Sequence, residues 1–98
     1  MGVIGFEQLE CWQKAKDLAV TVYVLSKDGE LGRDFGLRDQ MRRASVSVAS
    51  NIAEGKERET APEFIRYLYM AKGSGELKTQ LIIAEEIGYL ERKQSKDI

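Results

Sequence analysis

Apolar positions recur along this chain at the four-then-three spacing that gathers side chains on one face of an α-helix. The stretch LRDQMRRASVSVASNIAEG, residues 37–55, shows it most clearly: Leu37, Met41, Ala44 and Val48 form a stripe that ends on the polar Asn51. Beside the stripe lie Ser45, Ser47, Ala49, Ser50 and Ala53, small enough to let neighbouring helices come close. A helix over residues 37–54 is expected, with Gly55 in the left-handed position that commonly follows one. The rest of the chain is expected to pack around it.

A first helix is expected over residues 6–27. Cys11, Ala15, Leu18, Val22 and Leu25 make a bundle seam, and Trp12, Ala19 and Tyr23 an adjacent stripe. The run LAVTVYVL is rich in β-branched residues and competes as a buried strand. The seam begins upstream of that run, however, and Lys14, Lys16 and Asp17 occupy positions that a helix turns to water. Asp28 and Gly29 supply a stop. Residues 30–36, ELGRDFG, have no periodicity and read as a loop, with Phe35 tucked under the bundle and Asp34 capping the next helix.

The third helix is expected over residues 60–87. Thr60 and Glu63 form a capping box, Pro62 sits in the first turn, and Gly88 ends the helix. Phe64, Leu68, Ala71 and Gly75 make one stripe and Leu77, Leu81, Ala84 and Gly88 another. Ile65, Tyr67, Tyr69, Met70, Ile82 and Ile83 fall outside both. A helix apolar over so much of its circumference needs cover on both flanks. Two sister helices hide only part of it, and each exposed Leu or Ile forgoes roughly 1.5–3 kcal/mol of burial. A homo-oligomer is therefore expected.

Composition narrows the chemistry. Ninety-eight residues make a single domain, 1–98, with a short polar tail over residues 91–98. A hydrophobic fraction of 43% and a charged fraction of 32% exclude a disordered chain. The net charge of -1 and pI near 5.5 weigh against a domain that is basic throughout, as nucleic-acid binders usually are. Cys11 is the single cysteine, so no intrachain disulfide forms, and there is no histidine. Histidine-containing zinc sites, histidine bases and Glu-x-x-His di-iron sites are thereby excluded. No metal, cofactor or small-molecule substrate is expected. The first residues lack the basic start and apolar run of a signal peptide, and the longest uncharged run, residues 44–53, is half of what a bilayer requires. A cytoplasmic protein without a membrane partner is expected.

Four blocks appear in order at sensible spacing: FEQLECWQKAKDLAV, LRDQMRRASVSVASNIAEG, APEFIRYLYMAKGSGELKTQL and AEEIGYL. Together they resemble the bacterial four-helix-bundle family found in intervening sequences of 23S ribosomal RNA genes, often labelled a ribosomal protein. The resemblance covers residues 6–90, and its most specific pieces are RDQMRRASVS, NIAEG and GSGELKTQL. It implies an all-α, antiparallel up-and-down bundle without enzymatic activity that assembles into a ring, typically a pentamer. The family includes accessory proteins of diversity-generating retroelements, which partner a reverse transcriptase and carry a basic surface. Where the family pattern has a fourth long helix, this chain has only residues 91–98, so that helix is short, missing or truncated here. The acidic pI also departs from the retroelement accessory proteins.

Each candidate motif has a bland competitor. Arg38 and Arg42 share a helix face with Arg43 beside them, and Lys56 and Arg58 extend the basic set. As a functional group these five would contact nucleic-acid phosphates, multiplied around a ring. As a solvated face, Asp39 would pair with Arg42 and Arg43, and this reading is preferred because the cluster carries its own carboxylate. Asn51 and Glu54 are read as structural, Asn51 bonding across to a neighbour and Glu54 fixing a turn with Gly55. KGSGE lacks the strand, the third glycine and the Gly-Lys-Ser/Thr ending of a phosphate loop. Ser45, Ser47, Ser50 and Ser74 have no activating partner, and Glu85 and Glu86 point about 100° apart, so no catalytic residue is assigned.

The expectation is a non-enzymatic, homo-oligomeric scaffold or accessory protein acting on RNA, DNA or a ribonucleoprotein. Its rival is a protein-interaction module that docks a partner enzyme, such as a reverse transcriptase, without touching nucleic acid.

Overall fold

The computed structural model describes residues 5–57 and 75–91. Among these the chain forms a 3-10 turn, Phe6–Gln8, and four helices: α1 (Glu10–Leu25), α2 (Gly29–Arg33), α3 (Phe35–Lys56) and α4 (Gly75–Glu86), with no strand. The third expected helix is described only over its second half. Its opening, with Thr60 and Glu63, lies outside the described residues, as does Arg58.

The first helix starts later than its hydrophobic pattern suggests. Leu9 is extended, at φ -75° and ψ 128°, and its N–H closes the preceding turn on Phe6 O at 3.0 Å. Gln13 Nε2 donates to Glu7 O at 2.9 Å, and Phe6 meets Trp12 edge-on with ring centres 5.2 Å apart. These contacts fold the first residues back along α1 instead of continuing it. Within the seam, Ala15 and Val22 are buried and Leu18 and Leu25 partly so, but Cys11 is exposed and is not a core residue.

α1 ends at Leu25, and Gly29, at φ +72°, turns the chain into α2. Here the expected loop is a five-residue helix. Leu31 is 1% exposed and joins the main core, whereas Phe35 is 64% exposed, so the burial expected of Phe35 falls to Leu31. Gly32 permits this: a Cβ there would lie 2.8 Å from the Lys27 carbonyl oxygen.

α3 is the central element, with α1, α2 and α4 all packed on it. Asp34 caps it as expected, Oδ1 accepting from the Leu37 N–H at 3.1 Å. Gly55 does not take the left-handed turn assigned to it; the helix runs on to Lys56 and Gly55 is buried within it. Its missing side chain therefore extends the small-residue surface instead of ending the helix. Val22, Leu31, Met41, Ala44, Leu77, Leu81, Ala84 and Leu90 form one core, and Ala15 and Ile52 a smaller one beneath Leu9, Trp12, Val48 and Ala49. Burial of Val22, Leu31 and Met41 stabilises the fold by roughly 1.5–3 kcal/mol each.

α4 stops where expected. Gly88 adopts φ +86°, and the Tyr89 N–H reaches back to Ala84 O at 2.8 Å in a Schellman close. Tyr89 OH then donates to Asp34 Oδ2 at 3.2 Å, tying the end of α4 to the start of α3. Ser26 meets Arg42 while Ala15 clusters with Ile52, and Gln40 meets Gln80 while Asp34 meets Tyr89. Both α1 and α4 thus run antiparallel to α3. Among the described residues no helix is long and apolar enough to cross a membrane.

Candidate functional site

The first half of α3 carries the candidate arginines, and the structure gives each a different task. Arg38 Nη1 donates to Gly32 O at 3.2 Å, Nε to Asp39 Oδ1 at 2.9 Å, and the guanidinium lies 4.6 Å above the Phe35 ring. Arg42 Nε donates to Ser26 Oγ at 2.9 Å and Nη2 to Ser26 O at 3.1 Å, with the guanidinium 4.5 Å above Tyr23. A helix ends in carbonyls without intrahelical donors and in the negative pole of its dipole. Arg38 supplies a cation and a donor there for α2, and Arg42 does so for α1. Stacking on an aromatic ring adds about 0.5–1 kcal/mol at sites this open.

Arg43 is exposed. Asp39 does not pair with Arg42 or Arg43, as the solvated-face reading required; its carboxylate is held by the adjacent Arg38. Among the described residues neither Arg42 nor Arg43 has a carboxylate within ion-pair distance. Lys56 is half-buried in the last turn of α3, away from this group. The structure therefore gathers Arg38, Arg42 and Arg43 at one end of α3 and leaves Lys56 at the other. Asn51 is half-buried farther along the helix, and Glu54 is exposed but engaged.

A groove of about 550 Å³ opens beside the arginines, lined by Tyr23, Asp39, Arg42, Arg43, Val46, Ser47 and Ser50. Through Tyr23, Val46 and Ser50 it passes into an apolar groove of about 630 Å³ between α1 and α3, walled by Phe6, Trp12, Ala19, Val20, Val24, Ala49 and Ala53. Lys16 stands at its edge. Sequence reasoning did not assign these apolar residues to a site. The signal lay in the second α1 stripe, Trp12, Ala19 and Tyr23, for which no covering element was evident. Val20 and Val24 flank it, and Val24 is 65% exposed.

Elsewhere two polar arrangements stand out. The Tyr89 hydroxyl pKa lies above its ordinary 10.0, chiefly because it donates to Asp34, with desolvation next and the charges of Asp34 and Glu30 last. Gln80, only 5% exposed between α3 and α4, makes long contacts from Nε2 to Gln40 and Glu76 and leaves Oε1 without a donor. Among the described residues no three His, Cys, Asp or Glu side chains come together to hold a metal ion.

Comparison with curated proteins found no match. A family model described as 23S rRNA-intervening sequence protein matches residues 7–98. That span takes in α1 through α4, the arginine cluster and both grooves apart from Phe6, and on it the chain belongs to the 23S rRNA-intervening sequence protein family.

Proposed function

We propose that the protein is a non-catalytic helical scaffold that assembles with copies of itself and acts as an accessory to a nucleic acid or ribonucleoprotein. One observation carries the scaffold reading: apolar side chains stand exposed on two separate faces of the described bundle. Val20, Val24 and Val46 do so around the α1–α3 groove, and Ile82, Ile83 and Ile87 along the end of α4 and the residue after it. Contiguous apolar surface of this kind marks an interaction site more often than an accident of folding. Among the described residues, none of those lining the grooves forms a nucleophile–base pair. Light scattering across a micromolar concentration series tests the reading: a mass of several chains is expected, and a constant monomer mass overturns it.

Contact with nucleic acid is the second part. It is supported by Arg42 and Arg43, neither of which forms an ion pair among the described residues, next to the Tyr23 ring and the Ser47 and Ser50 hydroxyls. Arg38 contributes less, being tied to Asp39, while Lys56 and Arg58 complete the set proposed from the sequence. Labelled RNA and DNA titrated at two salt concentrations should bind more tightly at the lower, and Arg43→Glu should weaken binding. Absence of binding at low salt removes nucleic acid from the proposal. It would leave a module that docks a protein partner, as pull-down without nucleic acid would then show.

A further inference from the structure

The two exposed apolar surfaces differ in shape. One is concave, the groove between α1 and α3 lined by Trp12, Val20, Tyr23, Val24, Val46 and Ala49. The other is a convex row along α4 and the turn that follows it, with Ile82, Ile83 and Ile87 between 45% and 52% exposed. Ile83 and Ile87 are four residues apart, so they stand one above the other as a helix presents anchors to a groove. The two surfaces share no residue, and α4 lines neither pocket. On α3 the groove residue Val46 lies about 140° around the helix from the core residue Met41.

Their charges are opposite. Among the described residues the groove is bordered by Arg42 and Arg43 and by Lys16, which pairs with Asp17 at 2.8 Å, and the carboxylate that lines it, Asp39, is paired with Arg38. The isoleucine row is bordered by the exposed Glu76 and Glu86, with Lys78 beside Ile82. An apolar ridge with acidic edges matches an apolar groove with basic edges. Like charges across an interface oppose association, so the pairing also disfavours groove against groove.

Resting on the self-assembly reading above, we propose that the α4 isoleucine row of one copy fills the α1–α3 groove of the next, so that copies join head to tail. Such a contact is heterologous: a dimer leaves one ridge and one groove unfilled.

Trp12, the single tryptophan, lies in the groove wall and reports its occupancy. Wild-type protein, Ile83→Lys, Val24→Lys and an equimolar mixture of the two variants would be followed by light scattering and tryptophan emission, with circular dichroism confirming helix content. Both substitutions fall on exposed positions. Wild type should associate with a blue shift of Trp12, and each variant alone should associate about tenfold more weakly or worse. The mixture should recover dimers, because the Ile83→Lys copy retains a groove and the Val24→Lys copy a ridge. Wild type that associates without moving Trp12 emission, or a mixture no larger than its components, overturns the pairing while leaving self-assembly standing. Monomeric wild type overturns both. A Trp12 shift seen only on adding RNA to monomers overturns the pairing in favour of nucleic acid. If either variant loses its helix content, the wild-type emission series decides alone.

Discussion

Arg42 closes α1 from sixteen residues away. Its guanidinium presents two donors in a fixed fork, one to the Ser26 hydroxyl and one to the carbonyl. Arg42→Ala leaves both acceptors to water and should lower stability by about 1–3 kcal/mol in urea unfolding. Arg42→Lys should restore only part of this, since a single ammonium does not match both acceptors. The sequence revealed Arg42 as a cation on a helix face but not as a brace, because its partner Ser26 is local to a different element. Periodicity along one helix carries no information about a contact made across to another. Gln80 is the converse case, a polar residue buried where an apolar one would serve. Its Oε1 lacks a donor, and a buried acceptor left unpaired costs about 1–3 kcal/mol. Gln80→Met, of similar length, should therefore raise the thermal midpoint.

At the scale of elements, the long helices were legible because each repeats its apolar residues over several turns. α2 was not: five residues are too few for a period, and Gly29 and Gly32 within ELGRDFG read as loop punctuation. What makes α2 a helix is burial of Leu31, a tertiary effect. The joint between α3 and α4 has its own signature. Asp34 caps α3 with one oxygen and accepts the Tyr89 hydroxyl with the other. With its pKa raised in the folded chain, Tyr89 holds its proton more tightly there than when unfolded. Its contribution is therefore intact below pH 10.0 and is lost as pH rises through the native value. Urea midpoints at neutral and alkaline pH should converge between wild type and Tyr89→Phe as the pH climbs. A gap that stays constant refutes the linkage.

Over the whole molecule, the sequence did disclose a surplus of apolar surface, since Ile82 and Ile83 fall off the packed stripe of α4. It did not disclose where that surplus would be met. The groove needs residues of α1 and α3 side by side, and neither helix alone shows that Trp12 and Val46 border one space. Because the proposed contact joins acidic edges to basic ones, raising ionic strength should shift assembly toward smaller species in sedimentation. Assembly that strengthens with salt would mean the apolar part dominates and the charges are bystanders.

Most of the braces around the start of α3 come from nearby in the chain: Ser26, Gly32 and Asp34 all precede it closely. Tyr89 and Gln80 are the exceptions, reaching Asp34 and Gln40 from 55 and 40 residues downstream. A ribosome has thus released everything the α1–α3 hairpin requires well before it synthesises the tyrosine that bolts the hairpin to α4. In the complete chain the same contact closes a longer loop than the local braces do, so it forms after them and governs how long the folded state lasts more than how soon it forms. Tyr89→Phe should accordingly quicken unfolding in stopped-flow traces and leave the refolding limb where it was.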